Sequence, residues 1–339
     1  MHESLVPLSK RGDPWFDDGN IILLTSFEES PVAFKIHRGV LARHSQIFRD
    51  MFEAAEPPPD SESLEKCPVV YMHDVPIELS NIIRALYDGV SLNFQNKSIN
   101  DFFYAAGILR MSTKYCISHL RTQAVQHLAK TWAHTLRGHD EMLELALTSP
   151  PVDDLSYPFA HPLHVLNLAR SNDARLLVPS ALYFLSLYPL SDLLPADHPK
   201  LQVEHASKPS SDITAETLRD YTLVFQYRVR LLLDFCRKTC GTERPIPGDC
   251  KSTSQCPKAF QRLSNMLSRQ WILRSGPFHF MKQAQDQVLD MQDVCTPCRV
   301  AFNKEVNNVR EDAWRNLPGV VGLPSWEELE METRETVER

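Results

Sequence analysis

The sequence predicts an α+β fold in which a small sheet covered by helices is followed by a mostly α-helical region. Near the N-terminus, Phe34 and Ile36 alternate with Lys35 and His37, which is the period of a half-buried strand. Further along the chain, apolar side chains recur at spacings of three and four, which is the period of a helix face. The 24 prolines favour many short elements, because proline interrupts both helices and sheets.

The stretch from Phe34 to Phe52 organises the N-terminal half. After the strand residues, apolar side chains recur at helical spacing from Val40 to Phe52. Ser45 stands where this stripe pauses, and its hydroxyl is a good N-cap for a second helix. The first half is therefore predicted to contain strands at Asn20–Thr25, Val32–His37 and Val69–Met72, a short strand at Leu92–Phe94, a helix from Pro76 to a C-cap at Gly89, and helices at Asp101–Leu109 and Ile117–Leu128.

The second half is predicted to be helical throughout, with loops where proline, serine and glycine are concentrated. The predicted helices are Glu141–Leu147, Leu163–Ala169, Ala174–Tyr188, Thr217–Cys240, Lys258–Arg274 and Phe280–Arg315.

The N-terminal half resembles a BTB/POZ domain. The motif residues are Asp18–Leu23 and His37, followed by Leu41-Ala42, Ser45, Phe48 and Met51-Phe52. Leu86–Gly89 and Met111–Tyr115 resemble later sequence motifs of the same family, so the resemblance runs from Trp15 to Leu128. It implies a domain that self-associates, often as a homodimer, and recruits other proteins. Some relatives are adaptors on cullin-type ubiquitin ligases, and others act in transcription.

The resemblance and the composition together divide the chain. We expect a flexible N-terminus at 1–14, a BTB/POZ-like domain at 15–130, a helical region at 131–315 with a cysteine-bearing loop at 241–257, and an acidic C-terminal tail at 316–339. Leu176–Tyr183 and Gly322–Trp326 resemble the helical region that follows the BTB module in many fungal BTB proteins. Kelch, ankyrin and tandem Cys2His2 segments, the usual companions of BTB domains, are not recognisable.

Composition excludes several classes of function. A hydrophobic content of 43% and a charged content of 23% are those of an ordinary globular protein. The N-terminus has no apolar core of signal-peptide length, and no apolar run approaches the roughly 18 residues that cross a bilayer. We therefore expect an intracellular protein, in the cytoplasm or nucleus and without a membrane partner, whose eight cysteines are thiols or metal ligands. No nucleophile elbow, phosphate loop, dinucleotide fingerprint or zinc-protease motif is present, so no catalytic residue and no enzymatic activity are expected.

Six of the eight cysteines lie between Cys236 and Cys298. A C-x2-C turn lets two thiolates reach one zinc ion, and Cys295 with Cys298 has this spacing. Cys250 and Cys256 are the candidates for the other two ligands, and Cys236 and Cys240 compete with them. Buried thiols without a metal, or a redox role, are the alternative interpretations. Cys67 and Cys116 belong to the BTB-like half and are expected to pack.

The same region is basic. Between Arg219 and Lys282 there are 12 Lys and Arg residues against four Asp and Glu, in a chain of net charge −7. A basic surface beside a zinc site is what a nucleic-acid contact would need, and a solvated helix face is the alternative. The sequence thus predicts a non-enzymatic protein–protein interaction module, with a nucleic-acid-associated regulator using residues 219–298 as the alternative.

Overall fold

The computed structural model describes residues 9–25, 31–54, 63–88, 98–241, 243–270 and 276–335. In these residues, five short strands form one sheet near the N-terminus, and the rest of the chain is helical. The predicted α+β class is therefore confirmed. The predicted C-cap at Gly89 and the predicted strand at Leu92–Phe94 lie outside the described residues. Within those ranges, no helix is long and apolar enough to cross a membrane.

The sheet has the strand order β1-β3-β2-β5-β4. The central strand β2 runs antiparallel to β3, pairing Leu23 with Phe34, and parallel to β5, pairing Leu23 with Val70. The two edge strands are only two residues long. The strands are β1 Lys10–Arg11, β2 Ile21–Thr25, β3 Val32–Ile36, β4 Ser63–Leu64 and β5 Cys67–Met72.

Both faces of the sheet are covered, which explains why β2 reads as a continuous apolar run. Ile21 and Leu23 enter the main core, while Ile22 and Leu24 join a small cluster on the opposite face with Ala33. A central strand that is buried on both faces fixes the position of the flanking helices.

The helices of the N-terminal half follow the predicted order. Ser45 separates the first two helices: its hydroxyl accepts the Phe48 N–H at 3.1 Å and donates to the Tyr115 carbonyl at 2.6 Å. The predicted cap is thus confirmed. The Phe48 and Tyr115 rings stack at 4.3 Å, which joins the second helix to the end of the fourth. The helices are α1 Arg38–His44, α2 Gln46–Ala54, α3 Pro76–Asp88, α4 Ile99–Lys114 and α5 Ser118–Leu128.

The second half contains ten further helices among its described residues, and the last of them, within the predicted acidic tail, packs against α5. A short 3-10 helix, Arg175–Leu177, precedes α8, and a π-helical segment, Phe235–Thr239, continues α11. The helices are α6 Leu136–Thr148, α7 Pro162–Ser171, α8 Val178–Leu185, α9 Leu190–Leu193, α10 Pro199–Gln202, α11 Ala215–Asp234, α12 Gln255–Gln270, α13 Gly276–Asp290, α14 Thr296–Val320 and α15 Trp326–Glu335.

One predicted helix is divided. The predicted helix Phe280–Arg315 is two helices in the structure: α13 ends at Asp290, and α14 begins at Thr296. Pro297 lacks an N–H and its ring would clash with a preceding helical turn, so it is tolerated only in the first turn of a new helix. The prediction of one continuous helix was wrong, and the break makes Cys295 the N-cap of α14.

The helical region packs on the α4–α5 side of the first half. Arg110 of α4 pairs with Glu78 and also donates to the Ser207 carbonyl at 2.6 Å, and Phe103 stacks on His205 at 4.5 Å. A single core accordingly extends from the sheet to α15. A second, satellite core lies between the π-helical segment and α12, α13 and α14. Its members include Phe235, Cys240, Cys256, Phe260, Leu263, Phe280, Met281, Cys298, Phe302 and Val306.

Candidate metal centre and interaction surface

Four cysteines from separate parts of the second half meet at one edge of the satellite core. Cys250 lies in the loop before α12, and Cys256 is the second residue of α12. Cys295 is the N-cap of α14, and Cys298 lies in its first turn. The break between α13 and α14 therefore turns the C-x2-C pair toward the loop cysteines.

The spacing of the sulfurs suits a tetrahedral ion. All four Sγ atoms lie within 4.8 Å of one another, and those of Cys250 and Cys295 are 3.9 Å apart. Four sulfurs held at about 2.3 Å from one zinc ion are about 3.8 Å apart, so only small adjustments separate this cluster from a bound geometry. Cys256 and Cys298 are buried and the other two are half-buried, which leaves an approach from solvent.

The backbone around the cluster favours negative charge on sulfur. The Cys295 N–H points at Cys256 Sγ, 3.4 Å away. Backbone N–H groups of Cys298 and Lys251 lower the pKa of the Cys295 thiol to about 6, so it is a thiolate at neutral pH. Burial raises the pKa values of Cys256 and Cys298. Two protonated, buried thiols beside a thiolate are an arrangement that a divalent cation would deprotonate and hold.

The competing ligands are not part of this cluster. Cys240 is fully buried in the satellite core and Cys236 is half-buried, both within or next to the π-helical segment. Burial raises the pKa values of both thiols, so they are neutral packing groups. In the BTB-like half, Cys67 is buried in the sheet cluster, but Cys116 is exposed rather than packed.

Arg244, which no sequence motif marks, holds the loop beside the cysteines. The Arg244 guanidinium lies 4.3 Å from the Phe260 ring centre and 5.1 Å from that of Phe302. It also pairs with Glu305 at 2.7 Å and donates to the Thr239 carbonyl at 2.9 Å. These contacts join α12, α14 and the cysteine-bearing loop. No local spacing rule would have found it, because its partners are distant in sequence.

The basic stretch is largely balanced by carboxylates. Ten of its 12 Lys and Arg side chains are among the described residues, and six of these form ion pairs. Arg228 is instead buried, and its guanidinium donates a hydrogen bond to the Ser186 carbonyl. The six pairs are Arg219–Asp220, Arg237–Glu243, Lys238–Asp234, Arg244–Glu305, Arg262–Asp293 and Lys282–Glu144. This geometry gives little support to a phosphate-binding surface.

The first helix of the N-terminal half presents a free surface. Arg38, Gly39 and Arg43 are exposed, and Val40 is half-buried between them. A Cβ atom added at Gly39 would meet no atom of the described part of the chain within 4 Å. Because the helical region covers the α4–α5 side, α1 remains accessible to another molecule.

Comparison with known proteins identifies the N-terminal half. Residues 27–130 match the family model of the BTB/POZ domain. The chain therefore contains a BTB/POZ domain, a class of module that mediates interactions between proteins. A search of curated proteins returned no match to the chain.

Proposed function

We propose that this chain is a non-enzymatic protein-interaction module that self-associates through its BTB/POZ domain and presents a zinc-stabilised helical region. The match at residues 27–130 is the observation that supports the interaction role. We assign 15–130 to the BTB/POZ domain and 131–315 to the helical region that it carries, preceded by 1–14 and followed by 316–339. An intracellular location, in the cytoplasm or nucleus, agrees with eight cysteines that are all free thiols.

The proposed self-association is a homodimer formed through α1 and the adjoining strand region. Oligomers of identical chains usually close around a two-fold axis, so one surface must meet its own copy. Gly39 allows a sharp test, since a Cβ atom there would meet no atom of the described residues within 4 Å and a tyrosine would extend the exposed surface of α1. Light scattering at tens of micromolar should give twice the chain mass for the natural protein and a monomer for Gly39→Tyr. Gly319→Tyr, at an equally open glycine in α14, should remain a dimer. A monomeric natural protein would contradict the proposal.

Two specific roles follow from the family: an adaptor that recruits a cullin, and a transcriptional regulator. Purified full-length protein mixed with a purified cullin N-terminal domain discriminates between them. Co-elution in gel filtration supports the adaptor role, and separate elution leaves the transcriptional role as the proposal. A nucleic-acid contact through residues 219–298 is the less supported alternative, because most of its described cations already have carboxylate partners.

The proposed metal is one structural zinc ion held by Cys250, Cys256, Cys295 and Cys298. Their convergence within 4.8 Å supports it, because thiolates in a tetrahedral set select zinc and a fully protein-ligated site has no open position for catalysis. Metal analysis of the purified chain should give about one zinc ion per molecule. Cys295→Ser should lose it, whereas Cys236→Ser, at an equally half-buried thiol outside the cluster, should keep it. Zinc retained by the first variant would contradict this ligand set.

A further inference from the structure

A cavity lies between α6, α8 and the segments around Pro158 and Lys200, away from the four clustered cysteines. Its volume is about 320 Å³. Its walls are mainly apolar and aromatic, and they are supplied by Trp132, Met142, Tyr157, Phe184 and Leu187. Cavities of this size and lining are typical of sites for small molecules.

One wall of this cavity carries a buried lysine. Lys200 is only 6% exposed, and its Nζ donates to the Pro158 carbonyl at 2.8 Å. Within the described ranges no carboxylate pairs with it, whereas Lys35, the other buried lysine, pairs with Glu65. Burial lowers the pKa of Lys200 to about 8. An ammonium group in such a place has two N–H donors to spare and no counter-ion, which is an unfavourable state until an anion arrives.

The histidines beside Lys200 add hydrogen-bond donors but no negative charge. His161 is fully buried, and its Nδ1 accepts the Leu163 N–H at 3.2 Å. The hydrogen of the neutral ring is therefore on Nε2, which is buried and has no hydrogen-bond partner among the described residues. The His161 ring lies 5.0 Å from the ring of His198, which lines the cavity. Burial lowers the pKa of His161, and the neighbouring His198, His164 and Lys200 lower it further.

We propose that this cavity binds a small monocarboxylic acid with an apolar body, its carboxylate paired with Lys200 and its body against the aromatic wall. A carboxylate supplies the negative charge that Lys200 lacks among its described neighbours, and its oxygens can accept the N–H groups that the Pro158 carbonyl leaves over. One cation among apolar walls matches a monoanion better than a phosphate dianion, whose second charge would stay uncompensated. This site is independent of the proposed self-association and of the zinc centre.

Calorimetric titration of the full-length chain with 3-phenylpropanoate and 3-phenylpropanamide tests the proposal, because the two probes share a shape and differ in charge. The acid should bind once per chain and at least about tenfold more tightly than the amide. Lys200→Met should lower the affinity for the acid by about tenfold or more. Lys258→Met, at an exposed lysine of α12, should leave it unchanged.

The comparison of acid with amide uses the natural protein, so it holds even if Lys200→Met fails to fold. Equal affinity for the amide would overturn the proposal. So would the absence of saturable binding of 3-phenylpropanoate and of octanoate at millimolar concentrations. Either result would leave Lys200 as a side chain that only caps the Pro158 carbonyl.

Discussion

The sulfur atoms of Cys250 and Cys295 lie 3.9 Å apart although 45 residues separate them in the chain. Two structural features bring them together: the turn that precedes α12 and the break that starts α14. The other two cysteines of the cluster come from the first turns of the same helices. The cysteine cluster therefore lies at the N-terminal ends of two helices that also share the satellite core.

Zinc removal should destabilise the satellite core selectively. Binding energy at a structural zinc site is also folding energy, because the ligands are not arranged in the unfolded chain. A strong chelator should lower the thermal midpoint and raise amide hydrogen exchange around Phe260 and Phe302, while exchange in α4 and α5 changes little. Mass-spectrometric hydrogen exchange with and without chelator measures both regions at once. Identical exchange in the two samples would show that no metal supports this core.

Replacing Arg244 should cost more stability than replacing a neighbouring paired arginine. Arg244→Met removes two ring contacts and leaves Glu305 without its partner, which we expect to lower the free energy of unfolding by about 1–3 kcal/mol. Arg237→Met breaks only an exposed pair with Glu243, which solvent screens, and should therefore cost clearly less. Urea unfolding of both variants gives the comparison. Equal losses of unfolding free energy in the two variants would mean that the contacts of Arg244 with Phe260 and Phe302 do not stabilise the protein.

Acid should destabilise the protein through His139, which is 1% exposed and enclosed by the rings of Tyr183, Phe184, Phe278 and Trp314. Burial, with smaller effects of Arg310 and His279, lowers its pKa to about 3. Between that value and the ordinary histidine pKa, the unfolded chain binds the proton and the folded chain does not. The contribution of the neutral His139 to the free energy of unfolding is thus fully present above about pH 6.5, and it is lost as the pH is lowered toward 3.

The variant His139→Phe isolates this effect from other acid-sensitive groups. From pH 7.5 to pH 5.5 the natural protein should lose about 1.5 kcal/mol more unfolding free energy than the variant, as one histidine that titrates only when unfolded requires. Urea unfolding at the two pH values is the measurement. An equal loss in both proteins would contradict a neutral, buried His139.

Local patterns predicted the central strands and the helices of the N-terminal half, but they missed the two-residue edge strands β1 and β4. Ser45 could be placed as a cap because its hydroxyl acts on a backbone N–H three residues away. The four cysteines could be grouped because thiolates are good zinc ligands and Cys295 and Cys298 have a suitable spacing. The sequence nevertheless left Cys236 and Cys240 as competing ligands. What decided between them was the helix break before Pro297, which apolar spacing alone did not reveal. Arg244 and Lys200 could not be predicted, since their partners are brought near only by the folded chain.

X-ray absorption at the zinc edge of the purified full-length chain tests the metal centre most directly, because it reads the ligand atoms themselves. We expect a first coordination shell of four sulfur atoms at about 2.3 Å from the zinc ion. The absence of zinc, or a first shell that contains nitrogen or oxygen in place of sulfur, would contradict it.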